Sequence, residues 1–351
     1  METVLFSIII PIYNAQNYLE DLLQDIQRQD VHEFEVLMID DGSVDGSSEI
    51  CRRHTVLDTR FRYFRQENQG VSAARNRGIE LSRGKYLLFL DADDRIPEDT
   101  FIRYMKKLVE NPEIDLVIGK YQTIGDFSDQ NSSLFWQSDL SGKKKYLELL
   151  SDCLNGADTF YYGAVWNKVF RRDIIQEYQI QFDETMKWSE DFDFCVRYFR
   201  YVRYCYYLKS ITYCYYRRPG SALSQDGIID DRIDFLRYRL LSAMTEEIED
   251  DKQREIYQKK TDLFLICRVH GVMSTKAKNW KMLDRHSYKE WKDYMFIQEN
   301  MAVWKNRKNF HDLTRAQKIV WAGIETKCYY LVYAYYILKS RMKKIKTRQS
   351  R

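Results

Sequence analysis

The sequence lacks several features that would assign it to common protein classes. Its seven cysteines are odd in number and include no Cys-x-x-Cys pair, which argues against a disulfide framework and against a paired-cysteine zinc site. No apolar run reaches the roughly 18 residues of a membrane span, and residues 1–3 lack the basic segment of a signal peptide. We therefore expect a cytoplasmic protein with reduced cysteines.

Two glycine-rich phosphate-binding loops are also missing. The first predicted strand is not followed by the Gly-x-Gly-x-x-Gly turn of dinucleotide-binding proteins, and the chain contains no Gly-Lys-Ser or Gly-Lys-Thr loop. These absences argue against a dehydrogenase and against a P-loop enzyme. A bound nucleotide would have to be held by side chains and a metal ion instead of a glycine cradle.

The net positive charge of the chain comes from its C-terminus. Residues 339–351 carry seven basic side chains and no acid, and without them the net charge falls from +3 to −4. This concentration in a tail argues against a nucleic-acid partner, which would need a basic face. The preceding residues 328–338 are apolar and rich in tyrosine, which favours membrane interfaces. We predict peripheral attachment to the inner face of the cell membrane; the alternative is a helix packed on the catalytic domain or on a second subunit of a homo-oligomer.

The 351 residues, 44% of them apolar, are enough for one large or two ordinary domains. Short apolar segments alternate with segments of helical periodicity, which predicts βαβ units and an α/β fold with a mostly parallel sheet flanked by helices. The predicted strands are 7–14, 35–39, 61–65, 85–90 and 116–118, and the predicted helices are 15–29, 45–55, 70–81 and 98–110. Helical periodicity at 230–249, 254–273 and 286–304 predicts a helical C-terminal region over 226–351, after a domain at 1–225.

A wholly apolar strand at 87–90 ends in Asp91, Asp93 and Asp94. Ligands of open α/β sheets bind beyond the carboxyl ends of the strands. Carboxylates crowded this closely repel one another unless they share a cation or a proton. Because Mg²⁺ and Mn²⁺ prefer carboxylate oxygens and bridge to substrate phosphates, the pattern predicts a divalent-cation site. The alternative interpretation is a solvated aspartate-rich turn.

Several motifs, taken in order and spacing, resemble the bacterial family 2 glycosyltransferases. They lie at residues 7–14, 35–47, 69–78, 87–94, 166–170, 188–191 and 215–221. The resemblance covers about residues 5–225 and implies the GT-A fold, with a nucleotide-binding half at about 1–120 and an acceptor half at about 121–225. It also implies transfer of a sugar, with inversion, from a nucleotide-diphospho-sugar, UDP being favoured, to a hydroxyl of a lipid-linked glycan in surface polysaccharide synthesis.

The resemblance also implies which residues contact the donor. Asp41 would hydrogen-bond the nucleotide base with help from Asp40, a role that suits a carboxylate because it accepts from a ring N–H. The alternative for these two acids is a turn followed by a helix cap. Arg75 would supply donors to the pyrophosphate or the base, or would be a solvated helix residue. The implied donor contacts are Pro11, Tyr13, Asp40, Asp41, Arg75 and Asn76.

The same resemblance assigns the metal ligands and the general base. Asp93 would be the principal ligand of Mn²⁺ or Mg²⁺, Asp91 would contact the ribose or sugar as well as the ion, and Asp94 would be a second candidate ligand. Asp191, paired with Glu190, would take the proton of the acceptor hydroxyl. The alternative for this pair is electrostatic stabilisation of a helix N-terminus.

Acceptor recognition is the least defined part of the prediction. Trp166, Asn167 and Lys168 are expected to line the acceptor side, although a core tryptophan is the alternative, and the polar segment 125–142 is expected to form a loop over the site. Two other functions remain open at this point. One is a non-catalytic carbohydrate-binding or scaffold subunit with the same fold; the other is a nucleotidyltransferase, which would need a Gly-, Arg- and Lys-rich loop after the first strand.

Overall fold

The computed structural model describes residues 4–125, 142–145, 150, 162–186, 189–216, 233–277, 285–289, 311–326 and 328–349. The chain divides into two compact units, Met1–Ile228 and Ile229–Arg351, and the predicted domain boundary at 225 lies close to this division. The predicted loop at 125–142 and the predicted helix at 286–304 fall largely outside the described residues.

The described strands of the first unit form one mixed, mostly parallel sheet. They are β1 (Phe6–Ile12), β2 (Phe34–Asp40), β3 (Phe61–Arg65), β4 (Tyr86–Phe89), β5 (Leu116–Ile124), β6 (Gly142–Lys145), β7 (Lys168–Arg171) and β8 (Tyr204–Tyr216). Their order is β3-β2-β1-β4-β7-β5-β8-β6. The pairs among β1 to β4 and the β5–β8 pair are parallel, whereas β7 runs antiparallel between β4 and β5. The predicted α/β class is confirmed.

The helices of this unit cover both faces of the sheet. They are α1 (Leu19–Gln27), α2 (Ser47–Leu57), α3 (Val71–Leu81), α4 (Thr100–Glu110), α5 (Arg172–Glu177) and α6 (Glu190–Phe199). Alternate residues of β1, such as Ile8 and Ile10, join a core with α1 and α4, and Ile9 points to the other face. There Gly78 lets α3 approach closely, since a Cβ at this position would lie 2.3 Å from Ile9 Cγ2.

Hydrogen bonds tie together the loops at the carboxyl ends of β1 and β2. The Asn14 backbone N–H donates to Ser43 Oγ at 3.0 Å, and the Val44 N–H donates to Asn14 Oδ1 at 2.9 Å. Gly42 has a φ of +80°, a left-handed conformation that favours glycine. These contacts fix the edge of the sheet at which a ligand of an α/β protein binds.

The amino ends of the strands carry buried acids that are surrounded by donors. Glu35 at the start of β2 accepts hydrogen bonds from the hydroxyl of Ser7, the guanidinium of Arg62 and the backbone N–H of Arg83, each at 2.7 Å. Burial acts to raise the pKa of Glu35, but these hydrogen bonds outweigh it and hold the pKa below its ordinary value. Asp115, just before β5, is likewise buried. Its donors are Arg171, Arg203 and Tyr204.

The described helices of the second unit pack around an apolar core. They are α7 (Ile233–Glu246), α8 (Asp251–Lys276), α9 (Arg315–Glu325) and α10 (Tyr329–Gln349). Tyr333 and Tyr336 of the tyrosine-rich segment are buried in this core with Trp321, so part of the segment predicted to face a membrane packs against helices of its own unit. Among the described helices, none combines the length and hydropathy needed to cross a bilayer.

Candidate active site

Arg75, buried on α3, is the centre of a cluster of acids at the carboxyl ends of the strands. Its guanidinium contacts Asp191 Oδ1 at 2.5 Å, Asp91 Oδ1 at 3.0 Å and Glu190 Oε1 at 3.4 Å. Asp91 follows β4, whereas Glu190 and Asp191 begin α6. The fold therefore brings the predicted metal-binding motif and the predicted general base to one arginine.

Asp191 combines access to solvent with a perturbed acidity. Its side chain is 22% exposed. Burial raises the pKa of Asp191, the positive charge of Arg75 opposes this, and the negative charges of Glu190 and Asp91 add to the rise, so that the pKa lies above its ordinary value. An acid whose pKa is moved towards neutral pH is suited to accept and release a proton. This geometry fits a general base.

The residues Asp91 to Asp94 form a tight turn at the end of β4, closed by a hydrogen bond from the Asp94 N–H to the Asp91 carbonyl at 3.1 Å. Asp91 is 29% exposed, and Asp93 is also partly exposed. Asp94 differs, because its side chain is 1% exposed and its carboxylate accepts from the Tyr213 hydroxyl at 2.6 Å and the Tyr216 N–H at 2.8 Å. Burial and the charge of Asp91 raise the pKa of Asp94 to about 8.

The donor atoms of this turn suit a hard divalent cation. Asp91 and Asp93 offer carboxylate oxygens, the ligands preferred by Mg²⁺ and Mn²⁺. Within the described ranges, no group of three or more Asp, Glu, His or Cys side chains forms a complete metal site. Mg²⁺ sites that also bind phosphates commonly use one or two protein carboxylates, with the phosphates supplying further oxygens. The accessible acids of the turn therefore fit such an ion, and Asp94 would first have to give up its bonds to β8.

Asp41 lies at the end of β2 with its carboxylate already engaged. It accepts from the backbone N–H groups of Gln69 and Gly70, at 2.9 and 2.8 Å, and from the Gln66 side chain at 2.8 Å. A carboxylate has about four acceptor positions, so one position is left, but the side chain is only 3% exposed and a contact of Asp41 with the base stays a prediction. Tyr13, after β1, is 55% exposed, and Pro11 is partly buried. Both flank the same edge of the sheet.

Asp40 is fully buried, and its carboxylate is hydrogen-bonded within the protein. It accepts from the Tyr63 hydroxyl at 2.6 Å, the Ser48 hydroxyl at 2.7 Å and the Ser43 N–H at 2.8 Å. Burial acts to raise the pKa of Asp40, but these hydrogen bonds hold it below its ordinary value. Asp40 therefore stabilises the loop that carries Asp41.

Four other predicted site residues are buried and contact protein. Asn76 holds the backbone of Phe182 through two hydrogen bonds, donating to its carbonyl at 2.9 Å and accepting from its N–H at 2.7 Å. Trp166 stacks on Tyr213 with ring centres 4.3 Å apart. Asn167 and Lys168 are fully buried, and Lys168 Nζ donates to the Ala164 carbonyl at 2.5 Å. Contacts of these residues with the sugar donor or the glycan acceptor stay predictions, since each side chain is nearly inaccessible to solvent in this structure.

Two residues of the site are absent from the sequence-based prediction. Phe182 lies beneath the guanidinium of Arg75, 5.2 Å from ring centre to Cζ, and Tyr213 holds Asp94. The tyrosine-rich composition of 204–216 is typical of a strand and marks β8 as a sheet element. Nothing in that composition indicates that it pairs beside β5 and reaches the turn after β4.

Comparison with known proteins agrees with this architecture. The family model for glycosyl transferase family 2 matches residues 7–179. The chain is 28% identical over 276 residues to the putative glycosyltransferase EpsH of Bacillus subtilis. This alignment covers 76% of the chain and 75% of EpsH. It is 30% identical over 197 residues to the uncharacterized glycosyltransferase EpsJ of the same organism, so it spans just over half of that relative's length (56%).

The crystal structure of residues 1–349 of S. aureus TarS in complex with UDP-GlcNAc superposes with a TM-score of 0.72 at 19% identity, covering 97% of this chain and 92% of that one. The fold is that of the GT-A class of nucleotide-sugar transferases. Residues 7–179 of the chain belong to glycosyltransferase family 2. Membership in a family of transferases favours an enzyme over the alternatives of a scaffold subunit and a nucleotidyltransferase.

Proposed function

We propose that this chain is an inverting, metal-dependent glycosyltransferase that moves a sugar from a UDP-sugar to a hydroxyl of a lipid-linked glycan in bacterial surface polysaccharide synthesis. The observation that carries the proposal is the contact of one buried guanidinium, Arg75, with Asp91 and Asp191. A reaction between a metal-bound donor and a deprotonated acceptor needs these two acids within one site. UDP is the nucleotide in the TarS structure, which makes it the first donor to test.

The donor would lie across the carboxyl ends of β1, β2 and β4. Asp41 retains one acceptor position for a ring N–H of the base, and the exposed ring of Tyr13 offers a face on which a base can stack. Asp93 and Asp91 would hold Mn²⁺ or Mg²⁺ at the diphosphate. When bound, the ion neutralises charge on the departing nucleoside diphosphate.

Asp191 would act as the general base of a single displacement. Its carboxylate takes the proton of the acceptor hydroxyl while the acceptor oxygen bonds to the anomeric carbon. The bond from that carbon to the donor phosphate oxygen breaks, and its electron pair leaves with the nucleoside diphosphate. Attack opposite the leaving group inverts the anomeric configuration. Arg75 orients the Asp191 carboxylate through the 2.5 Å contact.

Donor hydrolysis tests this proposal directly. UDP-, GDP- and dTDP-sugars are incubated with the protein, with and without Mn²⁺, and release of nucleoside diphosphate is measured. We expect turnover of a UDP-sugar that needs Mn²⁺ and is lost in Asp93→Asn but kept in the control Asp99→Asn, whose target is an exposed acid paired with Arg103. Metal-independent turnover, or equal rates in both variants, would contradict the proposal.

The membrane part of the proposal rests on the outer face of α10. Tyr333 and Tyr336 face the core, but Tyr330, Leu338 and Met342 are 42%, 48% and 59% exposed. Basic residues dominate the sequence from 339 to its end, and an apolar helix face beside such residues suits an anionic lipid surface. The lipid-linked acceptor would then lie near the enzyme.

Co-sedimentation with lipid vesicles tests this attachment. We expect the full chain to bind vesicles containing phosphatidylglycerol, to bind phosphatidylcholine vesicles weakly, and to lose binding when Leu338 and Met342 are both changed to Ser. Ile256→Ser, at an exposed position of α8, is the control. Unchanged binding of the double variant would rule out this face as the lipid contact, and concentration-dependent dimers broken by the same variant would identify it as a contact between two copies.

A further inference from the structure

Hydrogen bonds with residues of β8 hold both ends of the turn that carries Asp91 and Asp93. The Asp91 backbone N–H donates to the Tyr213 hydroxyl at 3.3 Å, and that hydroxyl donates to Asp94 Oδ2 at 2.6 Å. The Tyr216 N–H donates to Asp94 Oδ1 at 2.8 Å. A tyrosine hydroxyl has one proton to donate and lone pairs to accept, so Tyr213 can make both bonds at once.

Tyr213 is itself fixed by its surroundings. It is fully buried, and its ring stacks on Trp166 at an interplanar angle of 14°. The next residue, Cys214, exchanges two backbone hydrogen bonds with Arg95, the residue after the turn, at 2.9 and 3.2 Å. The Arg95 guanidinium in turn bonds Asp25 of α1 at 2.7 Å. The position of the Tyr213 hydroxyl beside the turn is therefore fixed.

We propose that Tyr213 is a positioning residue: its hydroxyl, bonded to the Asp91 N–H and to Asp94, clamps the turn at residues 91–94 in the conformation that binds the donor. Asp94 is part of this clamp and is not a ligand of the ion. Both oxygens of Asp94 are occupied by β8, and its side chain is almost inaccessible. Asp91 and Asp93 are the accessible acids of the same turn. The inference rests on the proposed function in one respect, namely that this turn binds a cation together with a nucleoside diphosphate.

Removing the Tyr213 hydroxyl leaves the Asp91 N–H and one Asp94 oxygen without their partner. The turn then has more conformations available in the free protein, and binding of an ion must restrict them. Carboxylates that ligate an ion must be held within about 0.5 Å of the productive geometry. Loss of the clamp should therefore weaken ion binding although Tyr213 does not reach the ion.

Amide hydrogen exchange on metal-free protein tests the clamp independently of any ligand. Tyr213→Phe is compared with Tyr104→Phe, which removes another buried hydroxyl bonded to β8, through Thr212 at 2.8 Å. We expect faster exchange of the amides of residues 90–95 in Tyr213→Phe, with wild-type rates there in Tyr104→Phe. Unchanged exchange in Tyr213→Phe, or an equal increase in both variants, would overturn the clamp.

Binding of Mn²⁺ in the presence of UDP, followed by the electron paramagnetic resonance of free Mn²⁺, tests the consequence. Tyr213→Phe, which loses two hydrogen bonds, should bind Mn²⁺ at least about tenfold more weakly, and Tyr104→Phe should bind normally. Asp94→Asn, which keeps an oxygen for the Tyr213 hydroxyl but loses the bond from the Tyr216 N–H, should lose less affinity than Asp93→Asn. Equal losses in these two variants would make Asp94 a ligand and overturn the inference. If wild-type protein binds no Mn²⁺ with UDP, the proposed function fails and the exchange experiment alone decides the clamp.

Discussion

The buried acid Glu35 at the amino edge of the sheet and the partly exposed acids around Arg75 at the carboxyl edge differ in the number of hydrogen-bond donors available to each carboxylate. At the amino ends, several donors surround the single carboxylate of Glu35 and hold its pKa below the ordinary value. At the carboxyl ends, one guanidinium, Arg75, is shared by three carboxylates, and the pKa of Asp191 is raised. An excess of donors stabilises the fold, whereas an excess of acids attracts protons and cations. We infer that the acids around Arg75 at the carboxyl edge are organised for chemistry, whereas Glu35 at the amino edge, like Asp40 with its several donors, stabilises the fold.

Asp191→Asn should have the largest effect on activity. Removing a general base typically costs a factor on the order of 10² to 10⁴ in rate, with little change in stability because the amide keeps the shape of the side chain. Steady-state transfer to an acceptor gives kcat. The control is Asp193→Asn, which changes an acid two residues along α6 that pairs with Arg197. A rate near wild type in Asp191→Asn would remove this residue from the mechanism.

Arg75→Lys should have the next largest effect. The lysine keeps the charge but loses the planar fork that reaches several carboxylates, so we expect kcat/KM to fall about 10- to 100-fold, as for one or two charge-assisted hydrogen bonds. The matched control is Arg77→Lys on the same helix, where the guanidinium donates to the carbonyl of Arg65. If both variants lose activity equally, α3 and not the shared guanidinium is responsible.

Glu35→Gln should leave kcat unchanged and lower the free energy of unfolding by about 2 kcal/mol at neutral pH. Because the folded-state pKa of Glu35 is lowered, its stabilising effect is present above the unfolded-state pKa of about 4.3 and is lost as the pH falls through the folded-state pKa. Urea unfolding near neutral and at acid pH should show the difference from wild type shrinking at acid pH. The exposed Glu80 provides a control, Glu80→Gln. A kcat defect in Glu35→Gln would contradict the division between the two edges.

The pH dependence of the reaction should show the smallest effect. The base must be deprotonated, so a raised pKa of Asp191 moves the acid limb of the kcat/KM profile above the value of about 3.9 for a free aspartate. Since the charge of Glu190 contributes to that rise, Glu190→Gln should move the limb to lower pH. A shift of the limb to higher pH in Glu190→Gln would contradict the conclusion that the charge of Glu190 raises the pKa of Asp191.

Periodicity predicted the first unit well where the elements are regular. The predicted strand at 61–65 coincides with β3, and the predicted helix at 70–81 differs from α3 by one residue. β7 has only four residues, too few for a periodic signal. β8 was not predicted, although its tyrosine-rich composition is typical of a strand, and nothing in that composition indicates that it pairs with β5.

The sequence singled out acids that the structure brings together at Arg75, but it did not indicate how they are connected. The acids of the β4 turn and the acids of α6 were both identified, but the link between them is a guanidinium contact across 116 positions of sequence, for which no local pattern exists. The burial of Trp166, Asn167 and Lys168 also has no local signal, because a motif does not indicate which side chains face a cleft. These contacts depend on how β4, β7 and β8 come together in space.

The position of Mn²⁺ in crystals soaked with UDP tests the central claim most directly. Anomalous scattering locates the ion without assumptions about the ligands. We predict a peak within bonding distance of a carboxylate oxygen of Asp93, with Asp91 on the same side and Asp191 facing the diphosphate. A peak elsewhere in the molecule, or a bound nucleotide with Asp91 and Asp93 directed away from it, would contradict the account.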